Sequence, residues 1–133
     1  MMNKEFVPYQ EALDLKELGF NEPCLTWFIM HKSNNIIELV RPYWDREFGY
    51  TYNSGLSIDC VLAPLYQQAF KFFREKYELY HIIHCPTKDV AAYTITGFDI
   101  PSVHSNTELK TYEEAELACL KKLIDVVKNK QHE

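Results

Sequence analysis

Apolar residues near the N-terminus recur every three to four positions, which is the spacing of one face of a helix. Pro8 suits the first helical turn, because the N–H that proline lacks would have no partner there. Gly19 follows the last periodic residue, where a left-handed cap needs no Cβ. A helix is therefore predicted between these residues. Its mostly apolar face comprises Tyr9, Ala12, Leu13, Leu15 and Leu18, and its polar face comprises Gln10, Glu11, Asp14, Lys16 and Glu17.

Two further segments show the same helical period. One covers about residues 64–77, with Pro64 near its start, where the missing donor does no harm. The other begins near Thr111 and extends to about residue 130, and Thr111 and Glu114 have the spacing of a capping box. These patterns predict a second and a third helix. The buried arc of the third is predicted to consist of Ala115, Cys119, Leu120, Leu123, Val126 and Val127.

Short apolar runs bounded by turn residues predict the strands. Residues 24–30 and 36–40 flank the turn signal Ser33-Asn34-Asn35, and residues 79–85 and 91–98 flank a four-residue spacer that fits a hairpin loop. Residues 56–61 are either a further short strand or the approach to the second helix, and residues 101–110 are predicted to be a polar connector.

The predicted element order is α-β-β-α-β-β-α. Short local hairpins favour a largely antiparallel sheet of about four to five strands with three helices packed on it, which is an α+β fold. The sequence contains no internal repeat and no linker-like segment, so residues 1–133 are predicted to form a single domain.

Composition and charge narrow the classes of function. Apolar residues make up 47% of the chain, which is enough for a core and excludes a disordered acidic tail. The formal net charge of −5 disfavours general nucleic-acid binding, because neutralisation of phosphates supplies most of the affinity of such proteins. It favours a basic surface on a partner, such as the nucleic-acid channel of another protein.

No apolar run approaches the roughly 20 residues that cross a bilayer, and the first ten residues lack the apolar stretch of a signal peptide. We therefore expect a cytoplasmic protein that does not contact a membrane. The cysteines lie far apart and form no C-x-x-C pair, so in a reducing cytosol they are predicted to be buried thiols. These cysteines are Cys24, Cys60, Cys85 and Cys119.

The sequence carries no diagnostic catalytic or metal motif. On a strand, His81 and Cys85 would share one face while His84 would point to the other, which leaves too few ligands for a typical zinc site. Four glycines cannot build a glycine-rich phosphate loop. We expect no metal, no cofactor and no enzymatic activity.

One central segment combines the residue types that are enriched at binding hot spots. Its alternative interpretation is a strand that contributes every second aromatic side chain to the core. A second cluster, Lys71, Arg74 and Lys76, is interleaved with aromatic residues, but helical spacing sends most of those aromatics inward, as in an ordinary amphipathic helix. The predicted partner-binding residues are Arg41, Tyr43, Trp44, Arg46, Phe48 and Tyr50.

Three stretches of the sequence carry a family resemblance: FVPYQEALDLKELGFNEPC, APLYQQAFKFFREKY and TYEEAELACLKKLIDVVKNK, about two fifths of the chain. Together they resemble a family of short, uncharacterised proteins of Bacteroidetes phages and prophages. The resemblance implies a mobile-element accessory protein and transfers no catalytic residue. Small phage proteins without enzyme motifs often occupy a site on a larger host machine, so the resemblance implies an anti-CRISPR-like inhibitor.

Three functional hypotheses follow for a bacterial host cell. The first is a non-enzymatic protein that binds and inhibits a defence complex, such as an RNA-guided nuclease of type VI or its ribonucleoprotein. The second is a nucleic-acid-associated accessory protein that uses Lys71, Arg74, Lys76 and the lysine-rich third helix. The third is a small enzyme with a Cys/His or carboxylate site brought together only in space.

Overall fold

A computed structural model describes residues 5–40, 60–105 and 109–131 of the chain. These residues form three helices and two antiparallel three-stranded sheets, so the fold is α+β as predicted. The helices are α1 (Tyr9–Glu17), α2 (Tyr66–Tyr77) and α3 (Tyr112–Gln131). The strands are β1 (Thr26–His31), β2 (Ile36–Leu39), β3 (Cys60–Ala63), β4 (Leu79–Thr87), β5 (Val90–Gly97) and β6 (Val103–His104).

The chain divides into two compact units, Met1–Gln68 and Ala69–Glu133. The division falls within α2. The first unit holds α1 and the sheet of order β2-β1-β3, and the second holds α3 and the sheet of order β4-β5-β6. The single domain inferred from the sequence stays a prediction.

The first unit begins with α1, whose end is closed as the sequence predicts. Gly19 adopts a φ of 100°, and its N–H donates to the Lys16 carbonyl at 3.0 Å. The next N–H, from Phe20, donates to the Leu15 carbonyl at 2.9 Å. This pair of bonds is a Schellman motif, which requires a left-handed residue and so explains the glycine.

The prediction that Glu11 lies on the polar face of α1 is wrong. Glu11 is buried, together with Leu15 and Leu18. Positions separated by four and seven residues lie on one face of a helix, so Glu11 belongs to the same stripe as these two leucines. Its location in the first turn, where a negative charge is favoured, is compatible with the carboxylate.

The sheet of the first unit is built around the β1–β2 hairpin. The predicted turn is confirmed: Asn35 takes a left-handed φ of 56°, and the Asn34 side-chain oxygen accepts the Ile36 N–H at 3.1 Å. Asparagine tolerates such conformations because its side chain bonds to nearby backbone groups. On its other side, β1 pairs antiparallel with β3, with Trp27 opposite Leu62.

The second unit is an antiparallel sheet covered by α3, which packs against β4 and β5. The predicted hairpin is confirmed, with β4 and β5 in register from Leu79 opposite Gly97 to His84 opposite Ala92. The register then shifts before Thr87, so the loop is tighter than the four-residue spacer predicted. Between α2 and β4 stands one residue, Glu78, with a left-handed φ of 54°.

The start of α3 has the predicted cap. The Thr111 hydroxyl oxygen accepts the Glu114 N–H at 3.1 Å, and a Glu114 carboxylate oxygen accepts the Lys110 N–H at 3.0 Å. Both bonds satisfy N–H groups that have no partner within the helix. The predicted buried arc is confirmed except at Val126, which is only half-buried. Ile124, which was not part of the prediction, is buried.

The predicted single sheet of four to five strands is not confirmed, because the described strands form two sheets of three. The structure adds two strands, β3 and β6, to the predicted element order. Of these, β3 consists of four consecutive buried residues and so lacks the alternation that marks a strand. The other, β6, is two residues long and lies in the segment predicted to be a connector.

Candidate interaction surface

The sheet of the second unit has two chemically different faces. Side chains alternate along a strand, so Leu79, His81 and Ile83 share the face that also carries Tyr93 and Ile95. Leu79 and Ile95 are buried. This inner face lies towards α3, because the Cys119 thiol of α3 acts electrostatically on Tyr93 and, after burial, helps to raise the pKa of that phenol.

The opposite face carries exposed apolar side chains. Tyr80, Ile82 and Phe98 are 41%, 60% and 78% exposed, and the rings of Tyr80 and Phe98 meet edge to face with centroids 6.1 Å apart. We name these three residues the outer apolar patch. Single exposed apolar residues are normal, but a contiguous group of large ones is typical of an interaction site.

Polar but uncharged residues of β5 and β6 lie beside Tyr80 and Ile82 of the outer apolar patch. Thr94 and Thr96 stand opposite Ile82 and Tyr80, and the Thr94 hydroxyl and His104 Nδ1 form a hydrogen bond of 3.1 Å. The strands β4, β5 and β6 contain no Asp, Glu, Lys or Arg, although such residues make up 25% of the chain. These three strands offer no cation to hold a phosphate, and their exposed apolar side chains suit contact with another protein surface.

The two histidines of β4 lie on opposite faces, as the strand geometry predicts. His81 stacks on Phe70 of α2, with ring centroids 3.8 Å apart and planes 17° from parallel, whereas His84 is exposed. Burial, and then the positive charge of Arg74, lower the pKa of His81 below its ordinary value of 6.5. In the part of the chain that the structure describes, no three His, Cys, Asp or Glu side chains gather around a common point.

The depressed pKa of His81 gives a direction for pH dependence. As the pH falls below about 6.5, His81 becomes protonated in the unfolded chain before it does so in the folded protein. The free energy of unfolding therefore falls. His81→Phe keeps a ring against Phe70 and removes this titration. We expect wild-type protein to lose stability relative to this variant below pH 6.5, with no such drift above it. Urea unfolding on both sides of that pH measures the difference, and a constant difference would contradict the assignment.

Three of the four thiols are buried as predicted, and Cys85 is exposed. The prediction for Cys85 is wrong because it lies where the β4 register shifts. Burial is the main reason that the pKa of Cys24 and of Cys119 rises to about 12. Thiols with such pKa values stay protonated at neutral pH and are poor nucleophiles. Both side chains therefore act as small apolar core groups.

The basic cluster of α2 has the form of an ordinary amphipathic helix. Phe72 and Phe73 are buried, while the cations at positions 71, 74 and 76 are exposed. Lys71 lies 3.9 Å from a Glu75 carboxylate oxygen, and the Lys76 ammonium lies 5.4 Å from the Phe72 ring centroid. The aromatic rings are thus unavailable for stacking on bases, which is how single-stranded nucleic acids are held.

The predicted partner-binding residues, Arg41, Tyr43, Trp44, Arg46, Phe48 and Tyr50, lie outside the described residues. Val40 and Cys60, the described residues that flank residues 41–59, are both anchored on β1. The Val40 N–H donates to the Trp27 carbonyl at 2.9 Å, and the Thr26 hydroxyl donates to the Val40 carbonyl. At the other end, Cys60 pairs with Ile29 on the opposite side of β1.

Sequence reasoning missed the outer apolar patch. The signal was present in β4, where Tyr80 and Ile82 alternate with His81 and Ile83, so that both faces of the strand carry large side chains. A strand with only one buried face normally alternates apolar and polar residues. Phe98 gave no comparable signal, because its exposure depends on where β5 ends.

A small cavity of about 140 Å³ opens between α3 and the junction of α2 with β4. It is lined by Tyr77, Leu79, Val127 and Lys130. Pockets for drug-sized ligands typically have volumes of about 300–1,000 Å³, so this cavity is too small for such a molecule.

Among the described helices, none combines the length and the apolar character needed to cross a membrane. No protein-family model matches the chain, and neither a curated protein nor a solved structure matches it.

Proposed function

We propose that this chain is a small, non-enzymatic accessory protein of phage type that binds a bacterial defence complex and inhibits it. The complex we favour is an RNA-guided nuclease, of type VI, or its ribonucleoprotein. The observation that carries the binding role is the outer apolar patch, a group of large exposed side chains on and next to strands that contain no formally charged residue. The phage-family resemblance supports the choice of partner class.

Charge supports a partner with a basic surface. The chain carries a formal net charge of −5, and its charged residues lie outside β4, β5 and β6. An acidic protein is attracted over long range to a positively charged channel such as one that holds a guide RNA. Removing water from an uncharged apolar patch then costs little free energy. Burying an unpaired charge at the same place would cost on the order of several kcal/mol.

The thiol chemistry supports a role in binding rather than in catalysis. A cysteine nucleophile needs a depressed pKa and a basic or cationic neighbour. The pKa values of Cys24 and Cys119 move in the opposite direction, to about 12. The His81 ring stacks flat on the Phe70 ring, so His81 takes part in core packing.

The segment that holds Arg41, Tyr43, Trp44, Arg46, Phe48 and Tyr50 is proposed as a second contact region. Tyrosine, tryptophan and arginine dominate the hot spots of protein interfaces. The segment lies within residues 41–59, and the hydrogen bonds of Val40 and the pairing of Cys60 hold the described residues that flank this stretch on one sheet. Such anchoring lowers the entropy that a recognition segment loses on binding.

The test is affinity capture from a bacterial host lysate with the wild-type chain as bait, followed by reconstitution with the captured complex. We expect a defence nuclease or its ribonucleoprotein to be recovered, and its cleavage activity to fall when the chain is added. Phe98→Ala, with Tyr43→Ala and Trp44→Ala in a second bait, should reduce capture. Ile37→Ala, on the sheet of the first unit, is the matched control because Ile37 is also exposed and apolar.

Recovery of only replication or virion proteins would sink the proposed partner class. Strong binding to RNA or DNA alone, falling steeply with salt, would instead favour the nucleic-acid hypothesis. Capture that is equally reduced by Phe98→Ala and Ile37→Ala would remove the outer apolar patch from the interface.

A further inference from the structure

The strand β4 forms one edge of its sheet. Among the described residues, its ladder hydrogen bonds join it to β5, and no other strand pairs with it. The regular part, from Leu79 to His84, is long enough for six residues of a neighbouring strand. Every second residue of such an edge presents an N–H and a C=O group that an additional strand can bind.

From Leu79 to His84, this edge carries none of the side chains that usually prevent strands of different molecules from pairing. Natural edge strands are usually short, or carry lysine, proline or an inward-pointing charge. From Leu79 to His84 there is no charged residue and no proline, and the first proline, Pro86, comes only at the register shift. By contrast, the edge strand β2 has four residues and carries Glu38, which bonds to His31 at 3.0 Å.

We propose that two copies of this chain associate through β4, antiparallel, around a twofold axis at Ile82. The two sheets then form one sheet of six strands. This self-association is independent of the proposed function, since it requires only the purified chain.

The sequence of β4 is self-complementary in this register. On the outer face, Ile82 meets Ile82 of the second copy, and Tyr80 meets His84 at both ends. On the inner face, His81 meets Ile83. Rotation about an axis normal to the sheet keeps each face on the same side, so each side chain meets one from the same face of the second copy, and no pair brings together two formally charged side chains.

Charge favours the second copy at this place rather than elsewhere. Two chains with a formal net charge of −5 each repel one another over most of their surface. The β4 edge has no Asp or Glu and so adds no local repulsion. The assembly also closes, because each copy uses its single β4 edge, and the opposite edge, β6, has only two residues.

The size of the contact sets its strength. Five strand residues, from Tyr80 to His84, with the exposed parts of Tyr80 and Ile82 supply roughly a few hundred Å² per copy, less than the roughly 800 Å² per partner of a standard stable interface. We therefore expect a weak dimer whose population rises from the micromolar to the millimolar range of protein concentration.

A disulfide trap tests the register. In a Cys85→Ser background, Ile82→Cys places two thiols directly opposite each other across the axis, within the Cα separation that a disulfide accepts. We expect a covalent dimer to form under mild oxidation many-fold faster than with Thr96→Cys in the same background. Thr96 is exposed on the same face but belongs to the central strand β5. Equal rates for the two variants would overturn the proposal.

Sedimentation equilibrium of the wild-type chain provides a second measurement without any thiol chemistry. We expect the apparent mass to rise from 15.7 kDa towards twice that value with concentration. Ile82→Lys should hold the mass at 15.7 kDa, whereas Thr96→Lys should behave as wild type, with circular dichroism confirming that both fold. A wild-type mass that stays at 15.7 kDa at millimolar concentration, or an Ile82→Lys dimer, would overturn the proposal.

Discussion

Phe73→Ala is expected to lower the free energy of unfolding by about 3–5 kcal/mol, the usual cost of removing a buried phenylalanine ring. Phe73 is fully buried in α2, and its ring centroid lies 5.5 Å from that of Phe72 and 6.0 Å from that of Tyr77. Truncation removes the transfer energy of the ring, leaves a cavity and ends both ring contacts. Equilibrium unfolding in urea, followed by circular dichroism, measures the loss.

Phe98→Ala is the matched control, because it removes the same ring from a position that is 78% exposed. Surface substitutions away from special features usually change stability by less than about 0.5 kcal/mol. A Phe98→Ala loss as large as that of Phe73→Ala would mean that the outer apolar patch is covered by the chain itself. In that case the proposed binding surface would not exist.

Thr26→Val is expected to cost about 1–3 kcal/mol, the penalty for losing a buried hydrogen bond while keeping the shape of the side chain. Thr26 is fully buried at the start of β1, and its hydroxyl donates to the Val40 carbonyl. Valine has the same branching but no donor. Urea unfolding gives the stability change, and Thr96→Val, at an exposed position of β5, is the control with an expected change near zero.

The same substitution has a consequence for binding if the segment after Val40 contacts a partner. Loss of the Thr26 bond leaves that end of the segment held by the Val40 N–H to the Trp27 carbonyl. We expect Thr26→Val to weaken capture of the partner under conditions where the variant remains folded. Unchanged capture would show that recognition does not depend on this anchor.

The helices were predictable because their signals are local. Periodicity together with Gly19 and the Thr111 cap identifies where α1 ends and α3 begins, and each signal depends on residues within one or two turns. The burial of Glu11 could not be predicted from its residue type, because a charged side chain is usually exposed. Its position on the helix, and not its charge, decides that it is buried.

The arrangement of strands was less predictable because pairing joins distant residues. Nothing local states that Cys60 pairs with Ile29 rather than with a strand of the later hairpin, so one sheet was the simpler expectation. A four-residue buried strand has no periodic signal, and a two-residue strand exists only through its partner. The exposure of Cys85 likewise follows from a shift of register that is set by the loop of the hairpin.

The candidate surface was only partly within reach of the sequence. Aromatic and arginine content predicts a region for recognition at residues 41–50, and these residues lie outside the described ones, so this stays a prediction. The outer apolar patch depends on which face of β4 meets α3, and that choice is made by packing. Residue type alone does not distinguish Tyr80 from His81, because both types occur in protein cores. In the fold, Tyr80 is exposed and His81 packs against Phe70.

The single residue between α2 and β4 fixes which alternate side chains of β4 point towards the core. Because Glu78 alone turns the chain from helix to sheet, the helix determines which alternate residues of β4 point inward. One inserted residue at this junction would exchange the two faces and turn His81 and Ile83 outward, whereas two would restore them. Any lineage of this chain that keeps the exposed face intact can therefore change the length of this junction only in even steps.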